Sequence, residues 1–432
     1  MHMKLPYGKS GLRCDAPQAA QITSSLDRLR STQDGRAIVE AAMANPIGTA
    51  RLEELAAGKR TATVIISDHT RPVPSRDILP PMLAALRRGN PAIEITLLVA
   101  TGCHRGTKPQ ELEEKLGREI CAREKIVVHD AFDAARNVDI GLLPSGARLV
   151  IDRVAAEAEL LVAEGFIEPH FFAGFSGGRK SVLPGVCDRV TVLGNHCGAF
   201  IHSQNARTGI LDGNPIHRDM VAGARLARLA YIVNVVIDES QRTVAAFAGD
   251  FDAAHRAGVE FLRPYCEADA VPADVVITTN GGAPLDQNLY QCVKALTAAE
   301  ATAKPGAAII LCAEMADGIG GDGFYHAMRE CGSPAALYER YVNTPQSRTE
   351  ADQWQTQVLC RILMKHRVIF VTRPEMQTLI REMKMEYAPS VEAALAMTDG
   401  GSVTVIPNGI SVIIRRAAQQ DTPHTAPCRA AI

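Results

Sequence analysis

The sequence predicts an α/β protein made of two α/β domains, whose mainly parallel sheets face each other across an active-site cleft. Short apolar runs of strand length alternate with longer segments of helical pattern, which is typical of parallel sheets covered on both faces. The alternation stops once and then restarts, which indicates a second domain. The length of 432 residues is enough for two or three domains with cores of their own.

The first domain is predicted to contain a sheet of buried strands. Their apolar residues are continuous rather than alternating, as in strands covered on both faces. Residues 75–88 and 109–116 have the apolar spacing of helices. Two apolar runs separated by the polar turn DESQR predict a hairpin of strands at 231–237 and 243–247. The predicted parallel strands are residues 62–67, 93–100, 125–128 and 160–163.

The second domain is predicted to begin where the alternation restarts. The segment FLRPYCEADAVPAD precedes the restart, and its two prolines and mixed charges are typical of a domain junction. We place the junction near Asp269, which divides the chain into domains of residues 1–268 and 269–432. Residues 417–432 are predicted to be loosely held. The predicted strands of the second sheet are residues 273–278, 307–311, 368–372 and 402–406.

Composition excludes several classes of partner. Lysine and arginine total 46 against 48 acidic residues, the formal net charge is −2, and the basic residues are spread along the chain. This distribution lacks the basic stripe that nucleic-acid binding requires. The apolar runs are too short to span a membrane, and the N-terminal MHMKLPYGKS lacks the apolar core of a signal peptide. Because the 11 cysteines form no C-x-x-C pair, we expect reduced thiols and a soluble cytoplasmic protein.

Polar side chains follow several predicted strands at the point where each strand ends. In open α/β sheets, ligands bind beyond the carboxyl ends of the strands. A single loop histidine is weak evidence for catalysis, but three histidines at one rim, beside glycines and a lysine, are much stronger evidence. The polar residues that gather at this rim are Asp68, Arg71, His104, His170, Lys180 and His196.

The stretch GFSGGRKS, residues 174–181, has the glycines, lysine and serine of a phosphate-binding loop. A P-loop requires glycine directly before the lysine, and Arg179 stands at that position, which argues against a P-loop nucleotide site. Gly177 and Gly178 still allow the backbone to approach an anion closely, and Arg179 would add positive charge. The pattern therefore indicates a nearby phosphate but leaves the role of Lys180 open.

A three-histidine zinc site is an alternative interpretation of the same residues. His104, His170 and His196 would supply three neutral nitrogens and leave a fourth position open. This interpretation gives Lys180 and Arg71 no role, which counts against it.

Six longer motifs resemble the nickel-pincer-nucleotide lactate racemases. The resemblance extends from about Asp68 to Trp354, and its long central motif is highly specific. The motifs are DHTRPVPS (68–75), TGCHRGT (101–107), EPHFFAGFSGGRKSVLPG (168–185), GNH (194–196), GNPIHRDM (213–220) and QNLYQCVKA (287–295).

The resemblance implies a covalent cofactor and a nickel ion in the first domain. Lys180 would be joined through a thioamide to a pyridinium-3-thioamide-5-thiocarboxylic acid mononucleotide, the nickel-pincer nucleotide. His196, the histidine of GNH, would be the protein ligand of nickel(II). Sulfur donors together with one imidazole are suitable ligands for this metal. The residues expected around the cofactor are Asp68, Gly177, Gly178, Arg179 and Ser181.

The resemblance also implies how a substrate is bound and inverted. His104 and His170 would be the two bases that exchange the hydroxyl proton, one for each enantiomer. Arg71 and Lys294 would bind the substrate carboxylate, with Lys294 contributed by the second domain. The residues expected to line the substrate space are Tyr290, Gln291 and Trp354.

We therefore expect a racemase or epimerase that inverts a small 2-hydroxy acid, with lactate as the first substrate. The substrate would give a hydride to the cofactor, become a 2-keto acid, and take the hydride back on its other face. Separate cofactor-biosynthesis enzymes would be required. One alternative is the same chemistry on a larger acid such as malate, phenyllactate or gluconate. The other is a non-catalytic nucleotide- or anion-binding protein of the same fold, which the joint presence of Lys180, His196, His104 and His170 disfavours.

Overall fold

The computed structural model describes residues 2–16, 18–238 and 240–415, so the predicted loose segment 417–432 lies outside the described residues. Within the described ranges the strands are, in chain order, β1 His2–Leu5, β2 Leu12–Asp15, β3 Ala20–Gln21, β4 Thr61–Ser67, β5 Glu94–Ala100, β6 Lys125–Val128, β7 Asn137–Leu142, β8 Arg148–Asp152, β9 Leu160–Phe166, β10 Pro169–His170, β11 Gly174–Phe175, β12 Leu229–Ile237, β13 Thr243–Gly249, β14 Glu267–Asp269, β15 Ala273–Thr279, β16 Ala303–Cys312, β17 Arg367–Val371, β18 Glu386–Ala388, β19 Val403–Ile406 and β20 Ile413–Arg415.

Helices of varied length connect these strands. They are α1 Gly35–Ala44, α2 Leu52–Ala56, α3 Ser75–Gly89, α4 Pro109–Leu116, α5 Arg118–Arg123, α6 Arg153–Ala156, α7 Arg189–Asn195, α8 Gly198–His202, α9 Pro215–Leu226, α10 Ala253–Cys266, α11 Leu289–Thr302, α12 Asp322–Glu330, α13 Pro334–Val342, α14 Gln353–Leu363, α15 Gln377–Glu382 and α16 Val391–Ala396. Short 3-10 turns occupy Leu26–Arg28, Gly178–Ser181, Gln346–Arg348 and Pro374–Met376.

The first large sheet has six strands in the order β13-β12-β9-β4-β5-β6. All neighbouring pairs are parallel except β12 and β13, which form the predicted hairpin. In β4, Val64 and Ile66 join the hydrophobic core on one face, whereas Ile65 joins the core on the other. This double burial explains the continuous apolar run that predicted the strand.

β9 is longer than the predicted strand at 160–163, because it continues through Glu164 to Phe166. Glu164 is 2 % exposed, and its Oε1 atom accepts hydrogen bonds from the hydroxyls of Ser67 at 3.2 Å and Ser75 at 2.8 Å. These bonds allow a carboxyl group inside the sheet, which the apolar pattern does not predict.

The second large sheet is parallel throughout and has the order β18-β17-β16-β15-β19-β3. Its edge strand β3 comes from the N-terminal segment, where Ala20 pairs with Thr404 of β19. The sequence pattern shows no strand there, since a two-residue strand carries no periodicity. The segment around Asp269 forms β14, which pairs with β20. The two large, mainly parallel sheets with their connecting helices confirm the predicted α/β fold class.

No helix in the described ranges combines the length and the apolar character of a membrane span.

Candidate active site

The carboxyl ends of three neighbouring strands form the base of the candidate site. β9, β4 and β5 lie side by side and run parallel, so their C-terminal loops meet at one edge of the sheet. The loop after β4 carries Asp68 and Arg71, the loop after β5 carries His104, and His170 follows β9. The same connection continues into the 3-10 turn that contains Lys180.

His104 is held by the carboxylate of Asp68. The Nδ1 atom of His104 lies 2.7 Å from Oδ2 of Asp68, and the hydroxyl of Thr70 donates to the other carboxylate oxygen at 2.6 Å. Burial raises the pKa of Asp68, but the hydrogen bonds and charge of His104 and the hydrogen bond of Thr70 outweigh burial and lower the pKa to about 2. A carboxylate only accepts, so Nδ1 of His104 carries a proton, and Nε2 is the nitrogen that remains for proton exchange with a substrate.

The loop that contains Arg71 is fixed at both ends. Glu164 accepts hydrogen bonds from Ser67 and Ser75, which flank the loop. The Nζ atom of Lys115 donates to the carbonyl oxygen of Arg71 at 3.1 Å. Although its backbone is held in this way, Arg71 is an exposed residue, so its positive charge is available to an anion.

The turn before Lys180 requires both of its glycines. Gly177 and Gly178 have φ angles of 85° and 55°, which side-chain-bearing residues rarely adopt. A Cβ atom at Gly177 would lie 2.7 Å from Oδ1 of Asn234. The same oxygen accepts a hydrogen bond from the amide of Gly178 at 2.7 Å. The glycines therefore let the chain pack against β12 and place Lys180 at the sheet edge.

The amine of Lys180 lies in a strongly positive and crowded environment. Burial lowers the pKa of Lys180 well below its usual value, and the charges of Arg179, Arg71 and Lys294 lower it further. The residue as a whole is half-buried. An amine with a lowered pKa is more often neutral, which is the nucleophilic form.

Arg179 points into the protein rather than toward the rim. It is 1 % exposed, and its guanidinium donates to the carbonyl of Ala173 at 2.8 Å and that of Gly177 at 3.0 Å. Two histidines also contact it, through Nδ1 of His217 at 3.0 Å and Nε2 of His255 at 3.1 Å. Burial lowers the pKa of Arg179 to about 9. Any effect of this charge on an anion at the loop would therefore act through space and not by contact.

His170 is half-buried among aromatic rings. Its ring stacks on Phe171 with a centroid distance of 5.1 Å and meets Phe172 edge-on at 4.6 Å. The amide of Ala173 donates to Nδ1 of His170 at 3.2 Å. Burial, followed by the charges of Lys180 and the other site cations, lowers the pKa of His170 well below its usual value. The ring is consequently neutral at neutral pH.

His196 directly follows α7 and is 5 % exposed. Its Nδ1 atom lies 3.0 Å from the carbonyl oxygen of Val192, an acceptor, so Nδ1 carries the proton and Nε2 has a free lone pair. Burial and the charge of Lys180 lower the pKa of His196 to about 3. A neutral imidazole whose other nitrogen is anchored to a carbonyl is a typical metal ligand.

Helices that connect the strands of the second large sheet contribute side chains to the same region. The ring of Trp354, on α14, lies 5.0 Å from the ring of His196. Lys294 extends from α11, and burial and the charge of Arg71 lower its pKa to about 8, although Glu168 acts in the opposite direction. Tyr290 at the start of α11 packs edge-on against Phe324 at 5.6 Å.

Gln291 and Ser181 are the remaining predicted site residues. The amide of Gln291 donates to Oδ1 of Asn288 at 3.0 Å in the N-terminal cap of α11, and the Gln291 side chain is half-buried. Ser181 is the last residue of the 3-10 turn that contains Lys180 and is also half-buried.

Among the described residues, no three or more His, Cys, Asp or Glu side chains gather as a metal site, so the three-histidine zinc alternative is not supported.

Several polar residues that support the site have no obvious sequence signal. Asn234 lies inside a strand, and His255 is far from every recognised motif. Glu168, Asn214 and His217 are exceptions, because they lie within the motifs at 168–185 and 213–220. Asn214 also stands directly before a proline, a typical start of a helix, and here it caps α9. The supporting residues that sequence reasoning missed are Glu164, Glu168, Asn214, His217, Asn234 and His255.

Known proteins resemble this chain over nearly its whole length. The family model described as the lactate racemase N-terminal domain matches residues 7–209, and the model of the lactate racemase C-terminal domain matches residues 268–414. A lactate racemase from Thermoanaerobacterium thermosaccharolyticum is 47 % identical over 422 residues, covering 96 % of this chain and 99 % of the relative. One from Lactiplantibacillus plantarum is 46 % identical over 419 residues, covering 95 % and 99 %.

Two solved structures are also similar to this chain over most of its length. The lactate racemase apoprotein from Thermoanaerobacterium thermosaccharolyticum superposes with a TM-score of 0.93 at 46 % identity, covering 96 % of this chain and 100 % of that chain. A crystal structure of a protein from Thermotoga maritima has a TM-score of 0.67 at 17 % identity, with 88 % and 98 % coverage. At that identity the second structure shows a shared fold only.

Proposed function

Because the chain belongs to the lactate racemase family and is an enzyme, we propose that it inverts the α-carbon of a small 2-hydroxy acid, with lactate as the first substrate. The observation that carries this proposal is the presence of an anchored histidine, His104 on Asp68, and a second histidine, His170, beside a cluster of cations. Proton exchange with a hydroxyl group and binding of a carboxylate need these two kinds of group.

The residues present fit the nickel-pincer nucleotide that the family uses. Lys180 offers an amine of lowered pKa for a covalent link. His196 offers an unprotonated Nε2 for nickel(II), because its Nδ1 proton is directed at Val192. When bound, this cofactor would supply the acceptor for the hydride of the substrate carbon. We also propose that separate biosynthetic enzymes deliver it.

His104 would accept the hydroxyl proton of one enantiomer. Its Nε2 atom is free, and the buried carboxylate of Asp68 would stabilise the imidazolium that forms when Nε2 takes a proton. His170 would serve the opposite enantiomer from the β9 side of the site. Two proton-exchanging groups are required because the oxygen atom changes position when the α-carbon is inverted.

Arg71 and Lys294 would bind the substrate carboxylate. Arg71 presents an exposed guanidinium, which can hold a carboxylate with two parallel hydrogen bonds. Lys294 lies close enough to Arg71 for their charges to interact, and both act on the carboxyl group of Glu168. Since the two cations are on different α/β layers, one carboxylate would join the two domains that we divide near Asp269.

The remaining side chains would limit the size of the substrate. Trp354 packs against His196, and Tyr290 is held by Phe324, so both rings have little freedom to move aside. Together with Gln291 they would leave room for a short chain only. Closure of the cleft between the two domains around the substrate would exclude water from the reacting groups.

A panel of single enantiomers tests the proposal. Protein produced in a host that makes the cofactor is incubated with lactate, 2-hydroxybutyrate, malate, phenyllactate or gluconate, and chiral chromatography follows inversion. We expect the highest kcat/KM for lactate. Preference for malate, phenyllactate or gluconate would overturn the substrate while retaining the reaction. Binding of the nucleotide without inversion of any acid would identify a non-catalytic protein.

A further inference from the structure

The peptide group between Phe172 and Ala173 forms hydrogen bonds with both Asn214 and His170. The carbonyl oxygen of Phe172 accepts a hydrogen bond from Nδ2 of Asn214 at 2.8 Å. The amide of Ala173, in the same peptide group, donates to Nδ1 of His170 at 3.2 Å. Hydrogen bonds on the two ends of one peptide group polarise each other and so strengthen each other.

The orientation of the Asn214 amide is determined by its neighbours. Its Oδ1 atom accepts from the backbone amides of Ile216 at 3.0 Å and His217 at 3.4 Å, which cap α9. Its Nδ2 atom must then face the carbonyls, Phe172 and also Ile210 at 3.0 Å. Asn214 is 1 % exposed, so a rotated amide would leave buried groups unpaired.

This arrangement constrains the protons of His170. A backbone amide only donates, so Nδ1 of His170 is an acceptor and the single proton of the neutral ring is on Nε2. In a doubly protonated ring, the Nδ1 proton would meet the amide proton of Ala173. His104 is arranged in the opposite way, with its proton on Nδ1 and directed at Asp68.

We infer that Asn214 is a positioning residue that holds His170 in the Nε2-protonated tautomer, through the Phe172–Ala173 peptide group. This inference rests on the proposed function, because it gives the two histidines complementary resting states. His104 presents a lone pair to the substrate oxygen, and His170 presents an N–H group. To accept the hydroxyl proton of the opposite enantiomer at Nε2, His170 has to move its own proton to Nδ1, so the hydrogen bond from Ala173 has to open and re-form during turnover.

Nitrogen-15 NMR of histidine-labelled protein without cofactor tests the inference directly. The His170 signals are identified by their loss in His170→Asn. At neutral pH we expect an unprotonated Nδ1 and a protonated Nε2. In Asn214→Ser, which keeps a capping oxygen but loses the donor to Phe172, we expect a mixture of tautomers. A wild-type ring protonated at Nδ1, or an unchanged His170 spectrum in Asn214→Ser, would overturn the inference.

Asn90→Ser is the matched control. Asn90 also donates from Nδ2 to a backbone carbonyl, that of Lys59 at 2.7 Å, and accepts from the amide of Ala92 at 3.0 Å. It lies near the start of β4, at the end of the sheet opposite the site. Asn90→Ser should leave the His170 spectrum unchanged, and a change there would indicate a global effect. Should Asn214→Ser not fold, Asn214→Thr carries the same test, and the wild-type spectrum decides the tautomer by itself.

Loaded enzyme provides a second readout. Asn214→Ser should lower kcat/KM roughly tenfold, the lower end of the range for loss of an outer hydrogen-bond partner of a metal-bound histidine, because Asn214 acts on His170 only through the Phe172–Ala173 peptide group. With the hydrogen bond from the Ala173 amide to Nδ1 weakened, His170 should protonate more easily, so the acidic limb of the pH profile should move to higher pH. A purely structural role would lower activity without moving this limb. The NMR result does not depend on racemase activity, so failure of the proposed function and failure of this inference are distinguishable.

Discussion

The Nδ1 atom of His104 lies 2.7 Å from Oδ2 of Asp68, and this contact determines which nitrogen of the histidine carries the proton. Asp68 is 1 % exposed, whereas 46 % of the His104 side chain is accessible. A buried anion therefore orients an accessible imidazole, with the free nitrogen available to solvent or substrate. Comparable aspartate–histidine pairs stabilise the charged imidazole that forms when the ring accepts a proton.

Asp68→Asn should lower kcat roughly 10²-fold or more, because the neutral amide cannot stabilise a protonated His104. Steady-state kinetics with both enantiomers of lactate measure the effect. His104→Gln serves as the comparison, since it removes the proton-accepting group itself. Near-wild-type kcat in Asp68→Asn would contradict the assigned role.

The same substitution should change the pH dependence of stability. Because the folded-state pKa of Asp68 is lowered from 3.8 to about 2, its ionised form contributes roughly 2 kcal/mol to the free energy of unfolding above about pH 4. That contribution is lost as pH falls through about 2. Urea unfolding should therefore show a deficit of Asp68→Asn at pH 6 that shrinks toward pH 2.

Lys180→Ala should carry no covalent nucleotide and show no racemase activity. The neutral amine that burial and neighbouring cations favour is the group expected to form the link. Peptide mapping of protein from a cofactor-producing host should find a large adduct on residue 180 of the wild type alone. Lys180→Arg is the control, because it keeps a positive charge without a primary amine. Full activity in Lys180→Ala would end this assignment.

His196→Ala should lose bound nickel together with activity, while the adduct on Lys180 remains. The pKa of His196 is about 3, so its ring is neutral and able to bind a metal ion throughout the neutral range. Elemental analysis of nickel per chain and intact mass measure the two properties separately. Trp354→Phe is the control, since Trp354 contacts the His196 ring but is not a ligand in the proposal. Equal nickel in His196→Ala and wild type would contradict the assignment.

The affinity for a carboxylate substrate should fall as pH rises through about 8. Burial and the charge of Arg71 lower the pKa of Lys294 to about 8, so the amine is charged below that pH and neutral above it. KM for lactate measured between pH 6.5 and 9.5 should rise across this range. Lys294→Arg should shift the rise to higher pH, because arginine remains charged. A KM independent of pH would indicate that Lys294 does not bind the carboxylate.

The alternation of apolar runs and helical segments predicted all six strands of the first large sheet and four of the six strands of the second. The strand at residues 125–128 and the helix at 109–116 match β6 and α4 in both bounds. β9 was predicted too short, because a carboxyl group and a glycine interrupt its apolar run. The two edge strands of the second sheet, β3 and β18, were missed, because segments of two or three residues acquire strand geometry only by pairing with β19 and β17. Such elements depend on a partner that is distant in sequence.

The sequence by itself determined the family and the fold class and supplied the candidate site residues, because all three depend on residue types at fixed local spacing. Only the tertiary structure decided how those side chains are arranged. It directs the guanidinium of Arg179 inward onto His217 and His255, brings Trp354 against His196, and links Asn214 to His170 through a shared peptide group. Hydrogen bonds and burial set the proton positions and pKa values, and both arise from contacts between segments that are far apart in the chain.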